Sequence, residues 1–306
     1  MAGTFAESYC SSSSTHYYPA AQEIPRAVYI FACVVSVMLS VSSTFGNTMI
    51  LLALRKCQSL HPPSKALLCS LALTDLFVGL IVLPLFIAYY LMIILEIPGY
   101  YCVVAVTYAR TSTFIAGASL ETITTIAIDR YLAFHLRLRY RELVKLGRVA
   151  CILVIEWITA AVWSGIWFWS APIKMWTGVV GLCSCYVVTS LCYYSIRRGL
   201  RCHVAQIRRR VNYSESTDFD VAQYKKTVNN MLWIYGFLLV CYMPHLTSLL
   251  VILVTGLSNS SRFALHFSGI AVFVNSSFNP ILYCWKMKEI KQIVIANINV
   301  LRNFVI

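Results

Sequence analysis

The stretch FIAGASLETITTIAIDRYL, residues 114–132, decides the fold of this 306-residue chain. It closes a long apolar segment, Tyr101 to Leu132, with an acid beside an arginine, Asp129 and Arg130. Charged groups in a membrane helix are costly unless they face water or pair with each other. The triplet Asp129-Arg130-Tyr131 is therefore a candidate functional feature, and the rest of the chain decides what it means.

The composition indicates that lipid surrounds much of this chain. It is 59% hydrophobic and only 12% charged, whereas soluble domains average about 25% charged residues. Too few polar side chains are present to coat a water-soluble globule. The formal net charge of +13 lies in short clusters between apolar runs rather than on one solvated face, so the sequence does not predict nucleic acid as a partner.

Seven segments are long and apolar enough to span a membrane, which takes about 20 residues. The sequence predicts an all-α membrane protein: a seven-transmembrane helix bundle over residues 27–285, an extracellular tail at 1–26, and a cytoplasmic amphipathic helix and tail at 286–306. The polar stretch Arg197 to Lys226 is predicted to be an inner loop. The predicted spans are Ala27–Leu54, Ser64–Tyr90, Tyr101–Leu132, Val149–Ser170, Thr177–Ile196, Val228–Val254 and Ala264–Trp285.

Basic residues predict the orientation of the bundle. If the amino terminus is outside, every lysine and arginine falls in an inner segment except Arg26, Arg110, Lys174 and Arg262. Cytoplasmic segments of membrane proteins carry such an excess of basic residues. We therefore expect a multi-pass plasma-membrane protein with an extracellular amino terminus and a cytoplasmic carboxyl terminus.

Several spans carry polar groups that lipid does not favour, at similar predicted depth. Such groups indicate either plain structural anchors or a shared wet cavity, and their oxygens suit a small hard cation. The sequence favours water or a sodium ion among these residues. They are Asp75, Ser119, Asn275, Ser276 and Asn279.

Prolines and cysteines leave two structural questions open. Pro84, Pro244 and Pro280 interrupt predicted spans, and each marks either a hinge or a fixed bend. Most of the twelve cysteines lie in apolar runs, where cysteine behaves as a small hydrophobe, and none has zinc-ligand spacing with histidine. The sequence does not decide which thiols pair among Cys10, Cys33, Cys102, Cys183 and Cys185.

Each predicted span carries one short motif. The motifs are Gly46-Asn47, Leu71-Ala72-Leu73-Thr74-Asp75, Asp129-Arg130-Tyr131, Trp157, Tyr193 with Ile196, Pro244, and Asn279-Pro280-Ile281-Leu282-Tyr283. With these motifs in order, the chain resembles the rhodopsin-like, or class A, family of G-protein-coupled receptors from about Ala27 to Ile295. The short second outer loop without a cysteine, and Cys185 where many members have proline, resemble the branch that holds melanocortin, lysophospholipid, cannabinoid and adenosine receptors.

The resemblance implies a heterotrimeric G protein, an extracellular ligand and membrane lipids as partners. Arg130 would leave Asp129 on activation and meet the G protein, while Tyr193 and Tyr283 would swing inward. The sodium assignment matches the family's pocket, and Lys286 to Lys291 is similar to the family's short amphipathic helix. The implied activation residues are Asp129, Arg130, Tyr131, Leu138, Tyr193, Tyr242, Pro244, Asn279, Pro280 and Tyr283.

Two departures from the family pattern concern the resting state. Tyr242 stands where most members have tryptophan, which puts its role as a rotamer switch in question. Tyr224 stands where many members have an acid that restrains the arginine. With one fewer restraint on Arg130, we expect appreciable ligand-independent activity.

A third departure concerns the ligand. Ser112 stands where aminergic receptors have the aspartate that pairs with the amine, and Ala264 to Trp285 holds no lysine for retinal. The expected ligand is therefore neither a simple amine nor retinal, and a lipid, a nucleoside or a peptide fits better. The predicted ligand contacts are Arg110, Ser112, Tyr242 and His245, with pairing of Arg110 to Glu96 or snorkelling to water as alternatives.

Two other classes of protein are alternatives to a receptor, namely a channel or transporter and an enzyme. A channel or transporter would use the polar cavity around Asp75 as an ion path, but it would leave Asp129-Arg130-Tyr131 unexplained. An enzyme would need a nucleophile–base or metal constellation, which the sequence does not offer, so no enzymatic activity and no cofactor beyond sodium are predicted. Glu121 and Glu156 are expected to share a proton or a hydrogen bond.

Overall fold

A computed structural model describes residues 24–165, 171–210, 215–256 and 258–305. In this part of the chain, seven long helices confirm the predicted seven-helix bundle, and an eighth follows them. The helices are α1 (Arg26–Lys56), α2 (Pro62–Ile94), α3 (Pro98–Leu136), α4 (Leu146–Gly165), α5 (Ala171–Arg210), α6 (Glu215–Thr255), α7 (Asn259–Lys286) and α8 (Lys288–Val305). A 3-10 turn (Arg137–Arg139) and a one-turn helix (Tyr140–Leu143) connect α3 to α4.

Among the described residues, five helices are apolar enough to cross a membrane by composition alone: α1, α2, α4, and the segments Met175–Cys202 of α5 and Tyr235–Thr255 of α6. The two long helices that fall short are α3 and α7. These carry the predicted triplet and most of the predicted sodium ligands. Polar side chains lower the mean hydropathy of these two helices. They are tolerated in a membrane bundle because they face neighbouring helices instead of lipid.

The helices form a closed ring in which α3 connects α2 to α5. Helix α1 packs against α2 and α7, α7 against α6, and α6 against α5, while α3 contacts α2, α4 and α5. The outward faces of the ring are apolar and exposed, as at Phe31, Met38, Val154, Val162 and Val187. Exposed apolar surface of this extent matches a lipid environment.

Local sequence explains where several helices begin and end. Pro62 and Pro63 occupy the first turn of α2, where proline has no hydrogen bond to lose. Ser258 caps α7: its hydroxyl accepts from the Ser261 backbone N–H, and the Ser261 hydroxyl accepts from that of Ser258. Beyond α6, Gly256 adopts φ +80°, a conformation that glycine takes without strain.

The interruption predicted at Pro84 is a π-helical turn, Val78–Val82, inside α2. Such turns are often found at functional sites. Here the turn brings Gly79 against α1, where the Ser40 hydroxyl donates to the Gly79 carbonyl at 2.6 Å. A Cβ atom at Gly79 would lie 2.6 Å from Thr44 Oγ1 and 2.8 Å from the Thr44 backbone nitrogen. Only glycine fits this contact.

Two predictions about the inner side were wrong in extent. The stretch Arg197 to Lys226 is not one loop, because α5 continues to Arg210 and α6 begins at Glu215. The polar residues there include arginine, glutamine and lysine, which are good helix formers. Helix α8 has 18 residues where the sequence indicated a short helix of about two turns.

The cysteine question is partly answered. Cys102 is disulfide-bonded, whereas Cys33, Cys183 and Cys185 are free thiols. Cys10 lies outside the described residues.

Gly79→Ala is expected to destabilise the bundle because the added methyl group would press on the backbone of α1, which cannot move aside. Overpacking of this kind costs about 1–3 kcal/mol. The thermal unfolding temperature of the purified protein in detergent should fall by several degrees. Gly181→Ala, where nothing lies within 4 Å of the new Cβ, is the matched control. Equal unfolding temperatures for the two variants would contradict the close approach.

Candidate functional site

The Asp129 carboxylate lies at the centre of a hydrogen-bonded cluster near the carboxyl-terminal end of α3. It is 5% exposed and accepts three hydrogen bonds. Arg130 Nη2 donates to Oδ2 at 2.5 Å, the Ser64 hydroxyl donates to Oδ2 at 3.0 Å, and the Tyr140 hydroxyl donates to Oδ1 at 2.5 Å. The cluster therefore ties α3 to α2 and to the connection before α4.

Ser64 and Tyr140 were missed by the sequence reasoning. Their hydroxyl oxygens are 3.2 Å apart, and the His61 ring packs on Tyr140 with centroids 5.4 Å apart. Burial, followed by the hydrogen bond to Asp129, raises the pKa of Tyr140, so the phenol stays protonated and keeps its donor. No sequence motif marks these residues, because only the packed bundle brings them to Asp129.

The predicted switch tyrosines lie close to this cluster. Tyr193 is buried and within electrostatic range of both Arg130 and Tyr283. Tyr193 also packs on Tyr235 of α6, with ring centroids 5.0 Å apart. The Tyr131 and His135 rings are tilted to one another with centroids 4.4 Å apart. Arg130, Tyr193 and Tyr283 therefore lie at the same end of the bundle, and their role as a switch stays a prediction.

Two predicted residues cannot be placed in this cluster. Leu138 lies in the 3-10 turn and Tyr224 lies in α6, but the side chains of both fall outside the described part. Pro244 and Pro280 lie inside helices that continue through them. Gly46 of α1 approaches Pro280, since a Cβ atom there would lie 2.8 Å from Pro280 Cγ.

A second polar cluster lies deeper in the bundle, around Asp75 of α2. Asp75 is fully buried, and Asn279 Nδ2 of α7 donates to Asp75 Oδ2 at 2.7 Å. The Ser43 hydroxyl of α1 donates to the Asp75 carbonyl at 2.8 Å. Asn47 Nδ2 donates to the Ser276 carbonyl at 3.0 Å. Three helices are therefore joined at the predicted sodium residues.

Several buried polar atoms of this cluster have no protein partner among the described residues: Asp75 Oδ1, Ser119 Oγ, Asn47 Oδ1 and Asn275 Nδ2. Such atoms cost free energy unless water or an ion satisfies them. Three are oxygens, and one of these belongs to a carboxylate, which is the donor type that hard cations take. The residues present therefore fit a small monovalent cation or a bound water cluster.

The half of the bundle away from Asp129 is rich in aromatic rings. Tyr89 stacks on His266 with centroids 5.5 Å apart, and the Tyr89 and Tyr101 hydroxyl oxygens are 3.0 Å apart. Phe86 packs on Tyr90 and Tyr108. This cluster joins α2, α3 and α7 at the end opposite Asp129.

The predicted ligand residues lie on α3, at Arg110 and Ser112, and on α6, at Tyr242 and His245. The Ser112 hydroxyl donates to the Ala109 carbonyl of its own helix at 3.1 Å. His245 Nδ1 lies 3.2 Å from the Ser268 hydroxyl of α7, and Tyr242 is buried within electrostatic range of Asp75. Arg110 is half-buried. The alternative partner proposed for it, Glu96, forms an ion pair with Arg26.

The prediction that Glu121 and Glu156 share a hydrogen bond was wrong. Glu156 of α4 accepts from the hydroxyls of Thr122, at 3.1 Å, and Thr125 on α3. Glu121 of α3 accepts from the Thr159 hydroxyl of α4 at 2.7 Å. Each carboxyl thus binds threonine on the opposite helix. Because each helix carries threonine beside its own acid, each carboxyl has a threonine donor on the facing helix, and the two carboxyls do not need to bind each other.

These features define a seven-helix membrane bundle with the Asp129–Arg130 ion pair at one end and an aromatic cluster at the other. A sequence model of the 7 transmembrane receptor (rhodopsin family) matches residues 46–173. The chain is 26% identical to the dog histamine H2 receptor over 280 residues, covering 83% of this chain and 75% of that protein. The human histamine H2 receptor is also 26% identical, over 283 residues, 84% of this chain and 76% of that receptor.

The human 5-hydroxytryptamine receptor 1E is 30% identical over a shorter region of 125 residues, which is 41% of this chain and 33% of that receptor. The chain belongs to the rhodopsin-like family of G-protein-coupled receptors. This family consists of receptors, so the prediction that the chain is not an enzyme is confirmed, and the chain is a multi-pass plasma-membrane protein. The narrower melanocortin-like branch stays a prediction.

Tyr140→Phe is expected to raise ligand-independent activity, because Asp129 would lose a donor and hold the inner ends of α2 and α3 less firmly. A hydrogen bond to a charged group contributes about 1.5–3 kcal/mol, part of which would favour the resting state. Nucleotide exchange on purified G protein, without ligand, should increase several-fold. Tyr194→Phe, at a phenol 62% exposed on the outer surface of α5, is the control. Equal exchange rates for both variants would argue against the role of Tyr140.

Proposed function

We propose that this receptor transmits binding of an extracellular ligand to a heterotrimeric G protein by outward movement of α6. The observation that carries the proposal is the Asp129 cluster, in which Arg130 is paired at 2.5 Å beside the buried Tyr193. Breaking the Asp129–Arg130 ion pair would free the Arg130 guanidinium, which would then lie at the polar edge of that end of the bundle. The movement of α6 about Pro244 would widen that edge into a cleft for the G protein.

The mechanism is a shift between two populations of the receptor. The ligand binds more tightly to the state in which α6 has moved outward. In the resting state, α5 and α6 are joined near their inner halves by the Ser190 and Tyr235 hydroxyls and by the stack of Tyr193 on Tyr235. Outward movement must break these contacts, which then leaves Tyr193 free to turn toward Arg130 and Tyr283.

Arg130→Ala should reduce G-protein activation to the level of empty membranes, because the freed guanidinium is the group proposed to meet the G protein. The measurement is nucleotide exchange on a panel of G proteins by the receptor in lipid nanodiscs, with a ligand library added. Arg137→Ala, in the adjacent turn, is the control for lost positive charge. Ion flux in reconstituted vesicles without any nucleotide exchange would overturn the receptor mechanism in favour of a channel or transporter.

The proposed ligand is a neutral or anionic lipid, nucleoside or peptide. The curated relatives are named for histamine and 5-hydroxytryptamine, which favours an amine, but Ser112 offers no charge to pair with one. An amine would lack a counter-ion at that position, so a ligand without positive charge is preferred. Activation by either amine at low micromolar concentration would contradict this choice.

The proposed orientation has the amino terminus outside and the Asp129 end in the cytoplasm. Arg55, Lys56 and Lys65 flank the first inner loop, and Arg137, Arg139 and Arg141 lie beside Asp129. This basic excess supports the orientation and would also attract anionic lipid headgroups. An antibody against a tag fused before Met1 should bind intact cells, and binding only after permeabilisation would reverse the orientation.

The proposed allosteric ion is sodium, held by Asp75, Ser119, Asn275, Ser276 and Asn279. The unpartnered oxygens of Asp75 and Ser119 support this assignment, since a cation would satisfy both and bridge α2 to α3. A bound cation there would oppose rearrangement of α7, because Asn279 already donates to the same carboxylate. Sodium would therefore favour the resting state.

Asp75→Asn should abolish stabilisation of the receptor by sodium, because an amide lacks the charge that holds the cation. The unfolding temperature would be compared in sodium chloride and in choline chloride at equal ionic strength. Wild type should unfold at a higher temperature in sodium, and the variant should not distinguish the salts. Glu156→Gln, which alters a buried carboxyl outside the cluster, should keep the difference. A sodium effect that survives Asp75→Asn would eliminate the site.

A further inference from the structure

Glu289 at the start of α8 binds three consecutive residues of the first inner loop. Its Oε1 accepts from the Gln58 backbone N–H at 3.1 Å, and its Oε2 accepts from the Cys57 thiol at 3.2 Å and from the Ser59 hydroxyl. These hydrogen bonds lower the pKa of Glu289 to about 2, and the bond from Ser59 has the largest effect. The carboxylate is therefore ionised at any cellular pH, and it acts as a clamp between loop and helix.

The rest of the contact between α8 and α1 is mainly apolar. Ile290 and Val294 of α8 pack in one buried cluster with Leu54 of α1 and with Tyr283. One further polar bond joins Lys56 Nζ to Asn297 Oδ1 at 2.9 Å. The side chains that hold α8 against α1 thus also pack around Tyr283. Displacement of α8 would therefore loosen the packing of Tyr283.

Ser59 combines three properties that matter for modification. Its side chain is exposed, it lies in the non-helical segment between α1 and α2, and exposed Arg55 and Lys56 lie four and three positions before it. A serine kinase with an acidic peptide groove would bind a serine preceded by such basic residues by charge complementarity. Its hydroxyl also contacts Glu289, the carboxylate that holds the loop to α8.

We propose that Ser59 is a phosphorylation site and that phosphate there releases α8 from the first inner loop. In the reaction, Ser59 Oγ attacks the γ-phosphorus of ATP bound to a basic-directed serine kinase. The bond from that phosphorus to the β–γ bridging oxygen breaks, ADP leaves, and the hydroxyl proton passes to the kinase base. The proposal rests on the cytoplasmic location assigned above to this end of the bundle.

The physical reason for release is charge. A phosphate carries about −1.5 to −2 charge near neutral pH and repels a neighbouring carboxylate. It also removes the hydroxyl donor on which Glu289 relies. Lys65, whose Nζ donates to the Cys57 carbonyl at 3.0 Å, places a cation at the same loop and gives the phosphate a new partner. The modified loop would therefore turn from Glu289 toward Lys65.

Because the Ser59 hydroxyl is bound to Glu289, the clamp must open before a kinase can engage the serine. Weakening the clamp should therefore speed modification. Glu289→Ala removes the carboxylate, and Lys291→Ala alters an exposed residue two positions further along α8 as the matched control. The expected order of phosphorylation rates is Glu289→Ala faster than wild type by several-fold, with Lys291→Ala equal to wild type.

The experiment uses the full chain in lipid nanodiscs, where both membrane faces are open, with a basic-directed serine kinase and ATP. Mass spectrometry locates the phosphate, and hydrogen–deuterium exchange follows the Gln58 amide and the amides of α8. Phosphate should appear on Ser59, be absent from that position in Ser59→Ala, and speed exchange in both segments while α2 and α3 stay protected. Ser59→Asp should speed the same exchange without kinase.

Two results would overturn the proposal: Ser59 left unmodified in both wild type and Glu289→Ala, or Ser59 modified with unchanged exchange in α8. Neither result depends on orientation or on G-protein coupling, because nanodiscs expose both faces and the readouts are chemical. If α8 is released as expected but no G protein is activated by the receptor, the proposed function fails and the modification site stands.

Discussion

The buried carboxylate of Asp129 is the constraint on which one end of this receptor bundle depends. A carboxylate that is 5% exposed must be satisfied by donors, since an unpaired buried charge costs several kcal/mol. It draws Arg130, Ser64 and Tyr140 to one point and so fixes α2, α3 and the connection to α4 together. The same requirement explains how this end can switch. Once Arg130 leaves, two hydroxyl donors still hold Asp129, so the separation costs less than exposing a bare charge would.

Asp75 poses the same physical problem in the middle of the bundle and meets it incompletely. Asn279 satisfies one oxygen, while the other and the hydroxyl of Ser119 have no protein partner in the described part of the chain. The inner cluster is thus nearly complete within the protein, whereas the central one is left for water or a cation. That difference suits a switch at Asp129 that exchanges protein partners, and a site at Asp75 that responds to a bound solute.

The sequence predicted the spans and the polar positions because both follow from local rules. Apolar runs of membrane length give seven helices, and Asp75, Asn279 and Arg130 stand out within them. Ser64, Tyr140 and Glu289 were not predicted, since their roles come from contacts between distant segments that no spacing encodes. The lengths of α5 and α6 were underestimated because membrane thickness sets the length of an apolar run, whereas a helix can continue beyond the membrane. Arginine and lysine are good helix formers, and they extend these two helices into water.

The central claim is that α6 moves away from the bundle when the G protein binds. The most direct measurement is the distance between spin labels at the exposed Cys151 of α4 and at a cysteine replacing Lys226 of α6, with Cys202 changed to serine. The account predicts one main distance for the receptor alone and a longer one when a nucleotide-free G protein is bound. An unchanged distance distribution in a complex that forms would contradict it.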